Sequence, residues 1–273
     1  MPNPTQNRSM GILQLSEGEK KFQLRRYAPS EKLQHFVKHY WVVSWDLTGQ
    51  PPYLQDVVPN PCVNLVMEDH RSGIYGVSSR MYTKRIEGKG QVFGVKFHPG
   101  GFYPFIRTAL SNLTDQSLAL EEIFGADAAD YEQQLRSAAD PADRIALTEA
   151  LFIKHLPPQD KTIILINQII DRIKIDRELA KVEQICDTFH LNKRKLQRLF
   201  NQYVGISPKW VIKLYRLQNA AEAMDTGREH DTLKLSADLG FYDQSHFIKD
   251  FKSIIGKTPD GYAKPAALQD IRA

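Results

Sequence analysis

Apolar residues recur along this chain with two different periods, and the period changes near residue 157. Between about 20 and 101 the apolar runs are short and rich in Val, Ile, Phe and Tyr, as in DVVPNPCVNLVMED, GIYGVSS, MYTKRIEG and GQVFGVKFHPGG. Pro, Asn, Asp and Gly separate them, which predicts strands joined by tight turns in a meander or small barrel. FQLRRYAPSEKLQHFVKHYWVVSWDL leads into this region as a short extended piece, a helix capped by Ser30 with Glu31 in its first turn, and an aromatic strand over 40–47. Beyond it, Ser117 is expected to cap a helix over LALEEIF, and ADAADYEQQLRSA and PADRIALTEALFIKHL read as amphipathic helices, the second with Pro141 at its first position. Residues up to about 18 are polar and aperiodic, a loose arm.

From residue 158 the period becomes helical. Ile163, Ile166, Ile169, Ile170 and Ile173 share one face. Then LAKVEQICDTFHLNKRKLQRLFNQYVG gives a short helix, a turn at His190 and Leu191, and a cap at Asn192 opening a second helix to about 203, which is helix-turn-helix grammar. A long helix over about 208–224 and a polar loop at Gly227 follow, after which TLKLSADLGFYDQSHFIKDFKSIIGKTPDGYAK repeats the order of events. Adding 51 to each position takes Asn192 to Asp243, Leu196 to Phe247, Arg198 to Lys249, Phe200 to Phe251, Gly205 to Gly256, Ser207 to Thr258 and Pro208 to Pro259. Each class does physical work in the unit, as a polar cap, as two inward apolar residues, as an outward base, and as a Gly-x-[Ser/Thr]-Pro element that ends one helix and starts the next. The architecture expected is α+β, with a β-rich, barrel-like domain flanked by helices over 1–157 and an all-α domain of two helix-turn-helix units joined by a long helix over 158–273. The boundary falls at Pro157 and Pro158, followed by polar Gln159 and Asp160.

Charge sharpens the second half. The net charge is only +4, yet 1–157 holds 17 basic and 17 acidic residues against 19 and 15 in 158–273. Over 189–221 there are seven Lys/Arg (Lys193, Arg194, Lys195, Arg198, Lys209, Lys213, Arg216) and no acid, which suits a polyanion or a solvated basic face. Two distant cysteines, Cys62 and Cys186, form neither a disulfide framework nor a zinc site and fit a reducing cytoplasm. The N-terminus lacks an apolar signal core, and no run long enough to span a membrane occurs.

The first half offers little chemistry. His35 and His39 stand at i and i+4, a spacing that presents two imidazoles on one helical face, but no carboxylate joins them, and surface or structural histidines are the simpler reading. Cys62 sits in an apolar strand, where a buried thiol is the default; His98, before Pro99-Gly100-Gly101, is placed at a strand-to-helix turn. Nucleophile-elbow, phosphate-loop and zinc-protease motifs are missing, so neither catalytic residues, metal nor cofactor is expected. Inward aromatics of a barrel, Trp41, Trp45, Tyr75, Phe93 and Phe97 with Tyr82, either fill a core or enclose a small-molecule effector.

LNKRKLQRLFNQYVGISPKWVIKLYRLQNA and ADLGFYDQSHFIKDFKSIIGKTPDGY resemble the DNA-binding domain of the AraC/XylS family of bacterial transcription regulators, over 160–264. That resemblance implies a seven-helix, two-unit domain on double-stranded promoter DNA, contact with RNA polymerase, and an N-terminal half that binds an effector or makes a homodimer. It puts the base-facing positions at Arg194, Gln197 and Arg198 in the first unit and at Gln244, Ser245 and Lys249 in the second. The chemistry agrees: arginines one turn apart can fork onto guanine, and Gln197 or Gln244 can pair with adenine. Lys193 and Lys195 read as phosphate contacts or solvated charges, as do Lys209, Lys213 and Lys252, and His246 as a phosphate contact or a capping residue. Lys249 stands where arginine is usual and Asp250 adds a negative charge beside it, so the second unit is expected to read sequence less strongly. In the first half, PNPCVNLVME and GVSSRMYTKRIEGKGQVFGVKFHPGGFYPF resemble an N-terminal domain of unassigned role that often precedes this module. The alternatives are a ligand-independent dimeric regulator and a modifying enzyme with a DNA-binding tail.

Overall fold

The computed structural model describes residues 15–68, 72–225, 232–241 and 243–263. Most of the expected N-terminal arm and the loop around Gly227 lie outside them. A short helix α1 (Leu15–Gly18) precedes strands β1 (Gln23–Tyr27), β2 (Val37–Leu47), β3 (Tyr53–Val57), β4 (Asn64–Met67), β5 (Gly73–Tyr75), β6 (Tyr82–Ile86) and β7 (Gly88–Phe97). Helix α2 (Tyr103–Ile106), a 3-10 turn (Leu110–Leu113) and a last short strand β8 (Ser117–Leu118) come next. Six strands form one antiparallel sheet in the order β1-β2-β7-β4-β5-β8, and β3 pairs with β6 in a separate ribbon. The β-rich half is therefore an open sheet with a ribbon, and barrel-like only in outline.

Strand alternation sorts the sheet into two faces. Val37, Tyr40 and Val42 on β2 and Phe93, Val95 and Phe97 on β7 turn to one side, where they meet Phe102, Phe124 and Phe152. That side is covered by α3 (Glu121–Phe124), α4 (Asp127–Ser137) and α5 (Pro141–Lys154), the last capped by Asp140 with Pro141 at its first position.

Two expected helix starts are corrected. After Ser30 the chain makes successive turns, with the Leu33 and Gln34 amides donating to the Ser30 carbonyl, and β2 begins at Val37. Leu33 and Phe36 are fully buried, so the backbone coils to drop both into the core before entering the sheet. Ser117 pairs with Tyr75 in the sheet edge, and the helix begins four residues later at Glu121.

The second half is helical throughout: α6 (Lys161–Ile175), α7 (Val182–Phe189), α8 (Lys193–Leu199), a π-turn (Phe200–Val204), α9 (Pro208–Asp225), α10 (Thr232–Asp238), α11 (Gln244–Ile255) and α12 (Pro259–Ala263). Helix α9 serves two cores. Val211 and Ile212 pack with Ile169, Ile185, Leu196 and Phe200, while Leu214, Leu217, Ala221 and Met224 pack with Leu235, Phe247, Phe251 and Ile255. The sheet half adds Val77 to the first core and Val58 to the second.

Candidate nucleic-acid interface

The 51-residue repeat of sequence is a repeat of geometry. The Asn192 side chain accepts from the Lys195 amide at 2.8 Å, and the Asp243 carboxylate accepts from the His246 amide at 2.7 Å. Both are side-chain caps on the third amide of a helix, satisfying donors that the helix itself leaves open. Leu196 and Phe247, then Phe200 and Phe251, are wholly buried. Gly205 and Gly256 end the two helices with φ of 94° and 85°, a left-handed conformation that costs a side-chain-bearing residue.

Two rows of side chains are left facing solvent. On α8 these are Lys193, Arg194, Lys195, Gln197 and Arg198; on α11 they are Gln244, Ser245, His246 and Lys249. Every residue on α8 and α11 expected to face nucleic acid is exposed, whereas Lys213 of α9, expected as a phosphate contact or solvated charge, is half-buried. Their environments differ, however. Lys193 is tied to Glu183 of α7 at 2.9 Å, which raises its pKa and depresses that of the carboxylate. The His246 ring lies 3.1 Å from Asp243, so its amide and imidazole both belong to the cap. Arg194, Gln197 and Arg198 make none of these contacts and project with their donors available.

The basic stretch divides three ways. Its four α8 cations and Lys209 point outward. Lys213 instead pairs with Asp250 of α11 at 3.1 Å, so the acid expected to trouble the reading surface is neutralised against α9. Arg216 turns inward: its guanidinium donates to the Leu239 carbonyl and lies 4.3 Å from the centre of the Phe241 ring. Nothing in the spacing of Arg216 distinguishes it from its outward neighbours, because only the packing of α10 against α9 decides its direction.

The sheet half reaches the first unit through polar contacts. Tyr203, in the π-turn, donates to Asp160 at 2.5 Å, and Asp160 also caps α6 through the Thr162 amide. Thr114 donates to the Gly205 carbonyl at 2.8 Å. The His35 ring accepts from the Asp160 amide at 3.2 Å, and His39 lies in β2 rather than on a helix, so the two imidazoles do not share a helical face. Among the described residues no cluster of three or more metal-type ligands occurs.

The five aromatics proposed to line an effector pocket separate onto opposite faces of the sheet. Phe93 and Phe97 are wholly buried in the core beneath the helices, because β7 alternates them with residues of the other face. Trp41, Trp45 and Tyr75 remain on that other face, half-buried, with the two indoles packed over Gly94 and Gly90. Tyr82 is on the ribbon and exposed.

Residues 185–265 match the family described as Helix-turn-helix domain, and residues 25–119 match a Domain of unknown function (DUF6597). An uncharacterized HTH-type transcriptional regulator of Haemophilus influenzae is 28% identical over 87 residues, which are 32% of this chain and 29% of that protein. The chain thus spans under a third of the curated relative it matches. ToxT of Vibrio cholerae O395 superposes with a TM-score of 0.38 at 15% identity over 89% of this chain and 97% of its own, and an unsaturated-fatty-acid-bound ToxT of strain SCE256 with 0.39 at 14% identity over 89% and 91%.

Proposed function

We propose that this chain, whose residues 185–265 match a helix-turn-helix domain, is a sequence-specific regulator of transcription of the AraC/XylS type, with α8 and α11 entering the major groove of promoter DNA. The observation that supports this most directly is the doubled cap, core and glycine geometry at an offset of 51, which presents two exposed polar helix faces from one polypeptide. Two such units joined by α9 suit successive major grooves about 34 Å apart, one turn of duplex, so a single chain can read an asymmetric site. Arg194, Gln197 and Arg198 supply base contacts, while Lys193, Lys195 and Lys209 supply affinity through phosphates. Gln244, Ser245 and Lys249 form the second, weaker reader. Working on promoter DNA puts the protein in the cytoplasm beside RNA polymerase, and residues 1–157 sense a small-molecule effector or hold two copies together. No helix among the described residues is long and apolar enough to cross a membrane.

A mobility-shift assay across genomic promoter fragments tests the assignment. Arg198→Ala is expected to lose about 1–3 kcal/mol on the best site and to relax preference at one position. Undiminished binding by that variant would sink the reading of α8 as the recognition helix.

A further inference from the structure

The face of the sheet that carries Trp41, Trp45 and Tyr75 also carries a charge with no partner. Lys96 is paired in register with His39 on β2 and with Asn64 on β4, and Asn64 in turn with Tyr75 on β5, so the four side chains form one row across the sheet. Lys96 is only 9% exposed. Among the described residues it has neither a hydrogen bond nor an ion pair. The charges around it are Arg26 of β1, Lys38 at the bulge of β2 and Lys174 of α6, all positive, and its polar neighbour on the chain leading into β4 is the thiol of Cys62. Asp171 of α6 acts on His98 and on Tyr215 of α9, and lies on the exposed side of its helix.

Burying an ammonium among other cations is costly, and proteins ordinarily offset that with a carboxylate or by losing the proton. Burial above all pushes the Lys96 ammonium down to about 8; Cys62 pulls it back part of the way, and Lys38, Arg26 and Lys174 each add a smaller push down. His39 beside it is pushed down to about 3, first by burial and then by Lys96, Arg26 and Lys38, and so stays neutral, with one ring nitrogen free to donate. Next along the same face, the Trp41 ring lies over Gly94, two residues from Lys96, and the Trp45 ring over Gly90. Val43 and Val66 flank the indoles on this face. The row therefore offers a cation at one end and flat apolar surface along the strands.

Resting on the proposal that residues 1–157 bind an effector, we propose that the effector is a small organic anion: its charged group docks on Lys96 between His39 and Asn64, and its apolar body lies against Trp41 and Trp45. Such a ligand supplies the countercharge that the fold omits. The flat rings set the shape of the body, and the missing carboxylate sets the sign of the head.

The test is a thermal-shift and equilibrium-binding series on the full-length chain with 4-phenylbutyrate, phenyl phosphate and the neutral 4-phenylbutyramide, repeated with Lys96→Met and Trp41→Ala. The expected result is that the anions raise Tm and bind while the amide does not. Lys96→Met should weaken the anions at least tenfold and Trp41→Ala should weaken them less; the carboxylate and the phosphate then rank the two head groups. Without ligand, Lys96→Met should melt no lower than the parent, since it removes an uncompensated charge. If the amide binds as well as the carboxylate, or if Lys96→Met binds the anions undiminished, the anion assignment falls while the effector site survives. If neither charged nor neutral probes bind, the effector site falls with it. A Tm several degrees lower for unliganded Lys96→Met would make Lys96 a structural residue and overturn the proposal.

Discussion

The two helix-turn-helix units share their backbone devices and differ in how their charges are spent. In the first, the cations on α8 face outward and only Lys193 has an acid beside it. In the second, Asp250 is bound to Lys213, and Arg216 is folded onto Phe241, so polar groups join α9 to α10 and α11. The first unit is fastened differently, by Tyr203 on Asp160 and Thr114 on Gly205. Repetition thus fixed the caps, the buried aromatic and the left-handed glycine, which every copy needs to fold. The charges diverged because each unit leans on a different neighbour.

The comparison breaks first at the cores. Phe200→Ala and Phe251→Ala are each expected to cost about 3–5 kcal/mol, since both rings are wholly buried. Denaturant titration should give the two variants similar losses, and a large inequality would mean that the units do not share equivalent cores.

The terminal glycines should part company. A Cβ at Gly205 would stand 2.7 Å from the Leu110 carbonyl oxygen, a backbone atom that cannot step aside. At Gly256 it would meet the end of the Met81 side chain at 2.5 Å, which can swing away. Gly205→Ala should therefore cost about 2 kcal/mol or more, and Gly256→Ala about 1, mostly from the left-handed backbone. Thermal melts of the pair measure the difference.

On DNA, Lys249→Ala should weaken binding by less than Arg198→Ala and almost uniformly across sequences, lowering the slope of log affinity against log salt by about 1. A sequence-selective loss for Lys249→Ala would make the second unit the equal of the first.

The smallest difference lies in the caps. Asn192→Ala should cost about 1 kcal/mol at any pH, because an amide cap does not titrate. Asp243 does titrate: hydrogen bonds from the His246 amide and then its ring hold its carboxyl below the ordinary aspartate value. Its contribution is therefore complete above the unfolded value and is lost as the pH falls through the folded one. Amide exchange along α11 should speed up in that acid window relative to α8.

The helical half was legible because its signals are local. A cap, an apolar pair at i+4 and i+8 and a Gly-x-[Ser/Thr]-Pro element each act within a few residues, so Asn192 and Asp243 declare their helices from the sequence alone. The helix expected after Ser30 shows the limit: its residues have helical spacing, yet burial of Leu33 and Phe36 beneath α5 overrules it. For Phe93 and Phe97 the aromatic character was plain but the face was not, because period two fixes alternation without saying which side is covered by helices. Arg216 and Lys96 were invisible as exceptions. One is drawn inward by a carbonyl 23 residues away, and the other is enclosed by elements from both halves of the chain.

Val77 sits in the core of the first unit and Val58 in that of the second, with Met81 packed against the latter. A cut at Pro157 would separate the sequence cleanly but take a buried valine out of each helical core. Because valines of the sheet half complete both helical cores, calorimetry of the whole chain should record one shared endotherm for sheet and helices.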